Sequence, residues 1–352
     1  RIYKMAKHDL GDMEQIRAKL EGWLRLNLAG AENLKLGDLN FPEESGESSV
    51  TLILKADNNG SERGLICRMV PPESEVFEDH DLPLQYNMMK IAGENGVPVP
   101  PLLGIEEDDS LLGSYFYIMG LVDGLIPTDN PPYAFGSWVT ELSDDERSTM
   151  WENGVATLAQ IHQINLDGYD ISGVPASPQG QSPVQHEINK FNTMFSDDIR
   201  DRMPPVVAQA MRYINEHAPG SGVKRLCWGD SRPGNIIWKD LAPAAVIDWE
   251  MASISDPMLD VSWWYWIDNI LSVGLGLERL GGLPIMEDIY AQWHSITGLS
   301  LEHADYYDLF NITRFAVIIE KKYVAMGRGG AEPTANFVVP FVEQQLMKMS
   351  SI

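Results

Sequence analysis

Leu226-Cys227-Trp228-Gly229-Asp230-Ser231-Arg232-Pro233-Gly234-Asn235-Ile236-Ile237-Trp238 is the stretch on which the reading of this chain turns. An apolar run enters Gly229-Asp230, a tight loop with Pro233 and Gly234 follows, and Asn235 leads a second apolar run. Thirteen residues after Asn235, another apolar run ends in Asp248-Trp249-Glu250. Two strands joined by a short turn would bring Asp230, Asn235 and Asp248 to one edge. The Asn235 side-chain carbonyl and the Asp248 carboxylate are oxygen donors of the kind Mg²⁺ takes. Asp230 is then left to accept a proton. This division of roles is that of phosphoryl transfer. Taken singly, Asp230 is a turn aspartate beside Gly229, and Asn235 is a turn asparagine bonding backbone. The three together at this spacing favour the chemical reading.

The rest of the chain sets bounds around that stretch. Its 352 residues suit about two domains at roughly 150 residues each. With 44% hydrophobic and 22% charged residues, the composition is that of a folded globular chain. Twenty-six Lys and Arg face 51 Asp and Glu, a net charge of −25 that excludes nucleic acid and anionic membranes as default partners. Acidic clusters fall at Glu43-Glu44 and within residues 73–81, 106–109 and 144–146, and read as solvated surface rather than as a receptor for a polycation. The two cysteines, Cys67 and Cys227, form no CxxC pair, which argues against a zinc ribbon or a disulfide scaffold. No apolar run approaches the roughly 18 residues of a membrane span. The expectation is a cytoplasmic protein with no membrane span and an open oligomeric state.

Periodicity predicts a helix over residues 13–28, a short strand from residue 34, and a hairpin of residues 51–55 and 64–70 about the turn Asp57-Asn58-Asn59-Gly60-Ser61. A helix over 84–93 and a strand over 111–122 follow. Pro127 to Pro132 mark a break, giving expected domains of residues 1–122 and 123–352. Beyond it, Ser143 and Glu146 form a capping-box pattern opening a long helix towards residue 163. Further helices are predicted over 204–217, 310–326 and 336–349, with short strands at 225–228 and 244–247.

The pattern of Asp230, four residues, Asn235, then Ile247-Asp248-Trp249-Glu250 resembles the aminoglycoside phosphotransferase and choline kinase branch of the protein-kinase-like superfamily. Asn95-Gly-Val-Pro-Val-Pro, Tyr117-Ile-Met with Val122-Asp-Gly, and Leu158-Ala-Gln-Ile-His occur in that family's order. Trp228-Gly-Asp, Asp81-Leu-Pro-Leu-Gln and Asp129-Asn-Pro-Pro-Tyr are similar to a bacterial subgroup, itself similar to kinase-like domains fused to some acyl-CoA dehydrogenases.

The resemblance implies an α+β, bilobal protein-kinase-like fold, with a small antiparallel-sheet N-lobe that binds nucleotide and a larger, mainly helical C-lobe. It implies ATP and Mg²⁺ as cofactors and the hydroxyl of a small molecule as acceptor. Asp230 takes the place of the catalytic base, and Asn235 and Asp248 that of the metal ligands. Gly46, Ser48 and Ser49 fall at the nucleotide-flap loop, where small residues let backbone N–H groups approach phosphate. Arg68 stands in the place of the family's phosphate-binding strand lysine, and Met119 to Leu121 at the adenine hinge. Three positions differ from the family pattern. Arg68 replaces Lys, Gln85 is the nearest match to the helix Glu that pairs with that Lys, and Trp228 replaces the loop His.

Glu250 is placed either as a second acid of the metal shell or as a solvated residue. His162 reads as a packed or capping histidine, and the Trp263-Trp264-Tyr265-Trp266 cluster as core. Residues 323–352 hold only Glu332 and Glu343 among acids and carry Asn336-Phe-Val-Val-Pro-Phe-Val. That composition predicts an apolar or hydroxyacyl-like acceptor rather than a polycationic aminoglycoside. Two competing readings are an ATP-binding pseudokinase module with little turnover and a true aminoglycoside O-phosphotransferase.

Overall fold

Val50, Leu52, Leu54 and Ala56 alternate with less buried neighbours, and this period of two builds the five-stranded sheet. The structure, a computed structural model, describes residues 12–42, 50–70, 81–326 and 336–350. The chain forms two compact units. Arg1–Gly124 and the later segment Ala244–Glu250 make the first; Leu125–Pro243 and Met251–Ile352 make the second.

In the first unit the order is α1 (Met13–Asn27), β1 (Lys35–Asn40), β2 (Val50–Asn58), β3 (Ser61–Met69), α2 (Leu82–Glu94), β4 (Leu102–Glu106) and β5 (Phe116–Gly120). The five strands form one sheet in the order β1-β2-β3-β5-β4, antiparallel at every step. Asn59 and Gly60 turn β2 into β3 with φ of 57° and 83°. Two positive φ values in a two-residue loop match the right-handed twist of the strands, which is why Asn-Gly works there. Asp12 caps α1, its carboxylate accepting the Glu14 N–H at 3.0 Å. The helix lays Ile16, Leu20, Trp23 and Leu24 on the sheet, where Leu52, Leu54, Cys67, Phe116 and Ile118 complete the core. Trp23 meets Phe116 edge to face at 5.3 Å and donates its indole N–H to Glu106 at 2.9 Å. Asp81 caps α2, whose early Pro83 leaves no missing bond at the first turn.

The strand expected over 111–122 is confined to β5, because Asp108 and Gly113 (φ 77°) hold the preceding residues in turns. β4 was not expected from the sequence. It follows directly on Pro100-Pro101, which conceal a strand start from periodicity.

In the second unit come α3 (Trp138–Glu141), α4 (Asp144–His162), α5 (Gln185–Met194), α6 (Asp197–Arg200), α7 (Pro205–Glu216), β6 (Arg225–Cys227) and β7 (Ile236–Lys239). β7 turns at Asp240 and Leu241, φ 50° and 63°, into β8 (Ala242–Val246), along which the chain passes to the first unit. β9 (Ser253–Ser255), α8 (Met258–Ser272), α9 (Met286–Thr297), α10 (Ala304–Ala325) and α11 (Val339–Ser350) follow. The Ser143 capping box is formed, with Ser143 N–H donating to Glu146 at 2.8 Å and Glu146 N–H to Ser143 Oγ at 3.3 Å. Gly154 of α4 is a close-packing site, since a Cβ there would lie 2.4 Å from the Trp264 ring. Trp151, Trp238, Trp264 and Trp293 are fully buried in this core. Among the described residues, no helix is long and apolar enough to cross a membrane.

Candidate active site

The loop after β6 is held from behind by α8. Asp260 accepts the N–H groups of Trp228 at 2.6 Å and Gly229 at 2.8 Å, and its backbone carbonyl accepts the Ser231 hydroxyl at 2.7 Å. Charge-assisted bonds of this kind are roughly twice as strong as neutral ones. Asp260 is itself braced by His162, whose Nε2 lies at 3.2 Å. The Trp293 indole N–H, which can only donate, points into His162 Nδ1 at 2.9 Å. The proton of a neutral His162 is therefore on Nε2, donated to Asp260. Cys227 completes a buried cluster with these two, its thiol pushed well up by burial and by the nearby acids Asp260 and Asp256. Both ring nitrogens of His162 are spent, so the cluster reads as a loop anchor rather than a metal site. Gly229 has φ 93°, and a Cβ there would stand 2.1 Å from the Met251 carbonyl. Only glycine fits the entry to this loop.

This anchorage fixes Asp230, whose side chain is 17% exposed. Its Oδ1 accepts the Trp263 indole N–H at 2.8 Å. Its Oδ2 accepts Arg232 Nε at 2.8 Å and Asn235 Nδ2 at 2.7 Å. Arg232 also pairs with Asp129. Burial works to raise the Asp230 carboxyl, but the Arg232 charge and the donors Arg232, Trp263 and Asn235 outweigh it and hold it below the ordinary carboxylate range. A carboxylate offers about four lone-pair sites. Three are filled among the described residues, and the remaining one lies on Oδ1.

Asn235 ends a 3₁₀ turn, Pro233–Asn235, and does not lie on the second strand as expected; Pro233 starts the turn and β7 begins one residue later. Its amide N–H groups bond the Asp230 carbonyl at 3.0 Å as well as the carboxylate, and its Oδ1 has no hydrogen-bond donor among the described residues. β6 pairs with β9.

In the first unit Arg68, on β3 opposite Thr51 and Tyr117, is 9% exposed. Its guanidinium stands 3.6 Å from Asp248 Oδ1. Burial disfavours the Arg68 charge, but Tyr117, Asp248 and Glu250 offset it and raise the group above its usual range. Asp248 has φ 62°, a left-handed conformation that aspartate tolerates better than most residues. Gln85 is buried on α2, where the Tyr117 hydroxyl donates to its Oε1 at 3.5 Å, a neutral contact. Met119 is buried in β5 and Leu121 is exposed just past it. The Gly120 N–H goes to the Pro101 carbonyl at 2.8 Å and the Leu121 N–H to that of Gly64 at 3.0 Å, so both donors are spent on the sheet. Gly46, Ser48 and Ser49 lie outside the described residues.

Four residues around Asp230 escaped the sequence reading: Asp129, Arg232, Asp260 and Trp263. Asp260 left the best trace, as an acid in the apolar opening of a helix. Trp263 and Trp264 are core as expected, with Trp263 turning its polar edge to Asp230, whereas Tyr265 and Trp266 are half-buried. Farther along α8, Tyr265 and Trp266 join Met286, Phe341, Gln344, Gln345 and Lys348 around a groove of about 290 Å³. Trp266 and Phe341 meet edge to face at 6.0 Å.

Comparison with known proteins places this geometry. Acyl-CoA dehydrogenase family member 11 of Homo sapiens is 24% identical over 343 residues, covering 93% of this chain. The chain spans 42% of the length of that relative. Among solved structures, a Ralstonia eutropha protein provisionally assigned as an aminoglycoside phosphotransferase superposes with a TM-score of 0.68 at 21% identity, covering 93% of this chain and 94% of that one. A thermostable variant of aminoglycoside phosphotransferase APH(4)-Ia, in ternary complex with ADP and hygromycin B, gives a TM-score of 0.55 at 17% identity, covering 93% and 98%. These likenesses identify the fold as the kinase-like α+β fold of aminoglycoside phosphotransferases. Residues 44–284, well over half of the sequence, match the profile of the phosphotransferase enzyme family, and the chain belongs to that family.

Proposed function

We propose that this protein is an ATP- and Mg²⁺-dependent phosphotransferase that moves the γ-phosphate to a hydroxyl of a small, largely apolar molecule. The observation that carries the reading is the way Asp230 is held. Three donors fix the carboxylate, and the one lone pair left on Oδ1 is set to receive the acceptor's O–H. The acceptor oxygen forms the new bond to phosphorus, the bond to the ADP oxygen breaks, and the hydroxyl proton passes to Asp230 and on to solvent. A carboxylate held below its ordinary range is a weak base, so the main contribution of Asp230 is alignment.

The residues fit the groups they are proposed to hold. Asn235 and Asp248 offer oxygen donors, as a hard cation requires. Asn235 has committed its amide N–H to Asp230 and presents Oδ1. Arg68 supplies a buried cation for the nucleotide phosphates. Mg²⁺, when bound, would neutralise charge on those phosphates. An apolar acceptor is favoured by the sequence of residues 323–352, which holds only Glu332 and Glu343 among acids.

The test is ADP formation from MgATP against a panel of hydroxylated compounds, with nucleotide binding followed by thermal shift. Turnover on an apolar alcohol, abolished in Asp230→Asn with nucleotide binding kept, is the expected result. Unchanged turnover in Asp230→Asn overturns the mechanism. Binding with no turnover on any compound favours the pseudokinase reading, and turnover confined to aminoglycosides overturns the apolar acceptor.

A further inference from the structure

Arg314, on α10, is a buried guanidinium, and among the described residues no carboxylate lies within ion-pair distance of it. Its Nε has no hydrogen-bond partner among the described residues. A buried cation in this state is costly. Its guanidinium carbon sits 4.2 Å from the centroid of the Trp263 ring and 5.9 Å from that of Phe310. Phe315 closes on Trp263 edge-on at 5.6 Å. The opposite end of this stack is the Trp263 N–H, donated to Asp230 Oδ1 at 2.8 Å. The acids whose charge reaches Arg314 are Glu187 of α5, Asp230 of the loop and Asp260 of α8.

An indole carries negative charge on its face and positive charge at its edge. A cation held over the face draws electron density towards itself, which leaves the edge N–H a stronger donor. The planar guanidinium also limits tilting of the ring, and Phe315 restrains it from the side. We infer that Arg314 and Trp263 are positioning residues for Asp230, the stacked guanidinium fixing and strengthening the indole N–H that orients the carboxylate towards the acceptor hydroxyl. The inference rests on the proposed role of Asp230. Arg314 acts through Trp263, and Trp263 acts through the Asp230 carboxylate. They set which lone pair of Oδ1 remains open.

The test uses the full chain with three substitutions. Trp263→Phe keeps a ring under the cation and removes only the N–H. Arg314→Met keeps most of the volume and removes the charge, and Arg314→Lys keeps the charge. The first readout is ADP release from MgATP with water as acceptor. Trp263→Phe and Arg314→Met are expected to lower kcat about ten- to a hundredfold, with the KM for ATP within about twofold of wild type. Arg314→Lys should recover kcat to within about threefold. The second readout needs no turnover. In protein labelled with ¹⁵N-tryptophan, the Nε1–H resonance lost in Trp263→Phe identifies Trp263, and it should move upfield in Arg314→Met as the hydrogen bond weakens. A folded Arg314→Met protein with wild-type kcat, with only KM altered, or with that resonance unmoved overturns the inference. If Arg314→Met does not fold, Trp263→Phe decides, and wild-type kcat there overturns it. Asp230→Asn, run beside these, separates the two claims. If Asp230→Asn is inactive while Arg314→Met is fully active, only the positioning role fails; if Asp230→Asn is active, the role of Asp230 fails.

Discussion

Asp260 accepts the backbone N–H of Trp228 at 2.6 Å, so the entry to the Asp230 loop hangs on a carboxylate thirty residues later in the chain. Replacing Asp260 by Asn removes the charge that also serves Gly229 N–H and His162. We expect a loss of at least about 2 kcal/mol in urea unfolding, together with a fall in turnover larger than the fall in nucleotide affinity. An Asp260→Asn protein of wild-type stability would show that the loop holds its own shape.

Gly229→Ala should be worse than its size suggests. The φ of 93° disfavours any Cβ, and this one would stand 2.1 Å from a backbone carbonyl that cannot swing away. We expect a cost above about 2 kcal/mol and loss of activity, measured by thermal melting and ADP release.

Asp308 predicts a pH dependence of stability. Burial raises its carboxyl to about 6, against the hydrogen bonds from Tyr290, Ser262 and Trp266, which converge on Oδ1 while Oδ2 has no partner among the described residues. Between the unfolded value near ~4 and the folded one, the folded protein keeps a proton that the unfolded chain has lost. Stability therefore falls as pH rises through that window, by on the order of 2–3 kcal/mol. Asp308→Asn, which cannot ionise, should gain more in melting temperature over wild type at pH 8 than at pH 4. Equal differences at both pH values would remove Asp308 as the cause.

Arg68→Ala should raise the KM for ATP by about tenfold or more, with a smaller change in kcat, because the residue is proposed to hold phosphate rather than to act at the hydroxyl. Arg68→Lys, which restores the family's usual residue, should stay within about threefold of wild type. Steady-state kinetics in ATP distinguishes these outcomes.

What was legible in the sequence was what is local. Asn59-Gly60 announces its hairpin because two left-handed residues in a row need that chemistry. Ser143 and Glu146 announce a helix start because both partners lie within one turn. Asp230, Asn235 and Asp248 were legible as a spacing. The surroundings that set the state of Asp230 were not, because Trp263 donates to it from 33 residues later and Arg232 is paired with Asp129, 103 residues before it, and no periodicity links such positions. The pairing of β6 with β9 was hidden for the same reason: three-residue strands carry too little pattern to specify a partner.

The return of Ala244–Glu250 to the first unit bears on how this protein can be divided. Val246 donates its N–H to the Pro98 carbonyl at 2.8 Å, and Ala245, Val246 and Trp249 are fully buried. A gene fragment that stops at residue 124 encodes neither these side chains nor Asp248. The two units are therefore not beads on a string that can be expressed, exchanged or inherited one at a time. Any split-protein or domain-swapping design must carry the later segment along with the first unit, or supply it as a separate peptide.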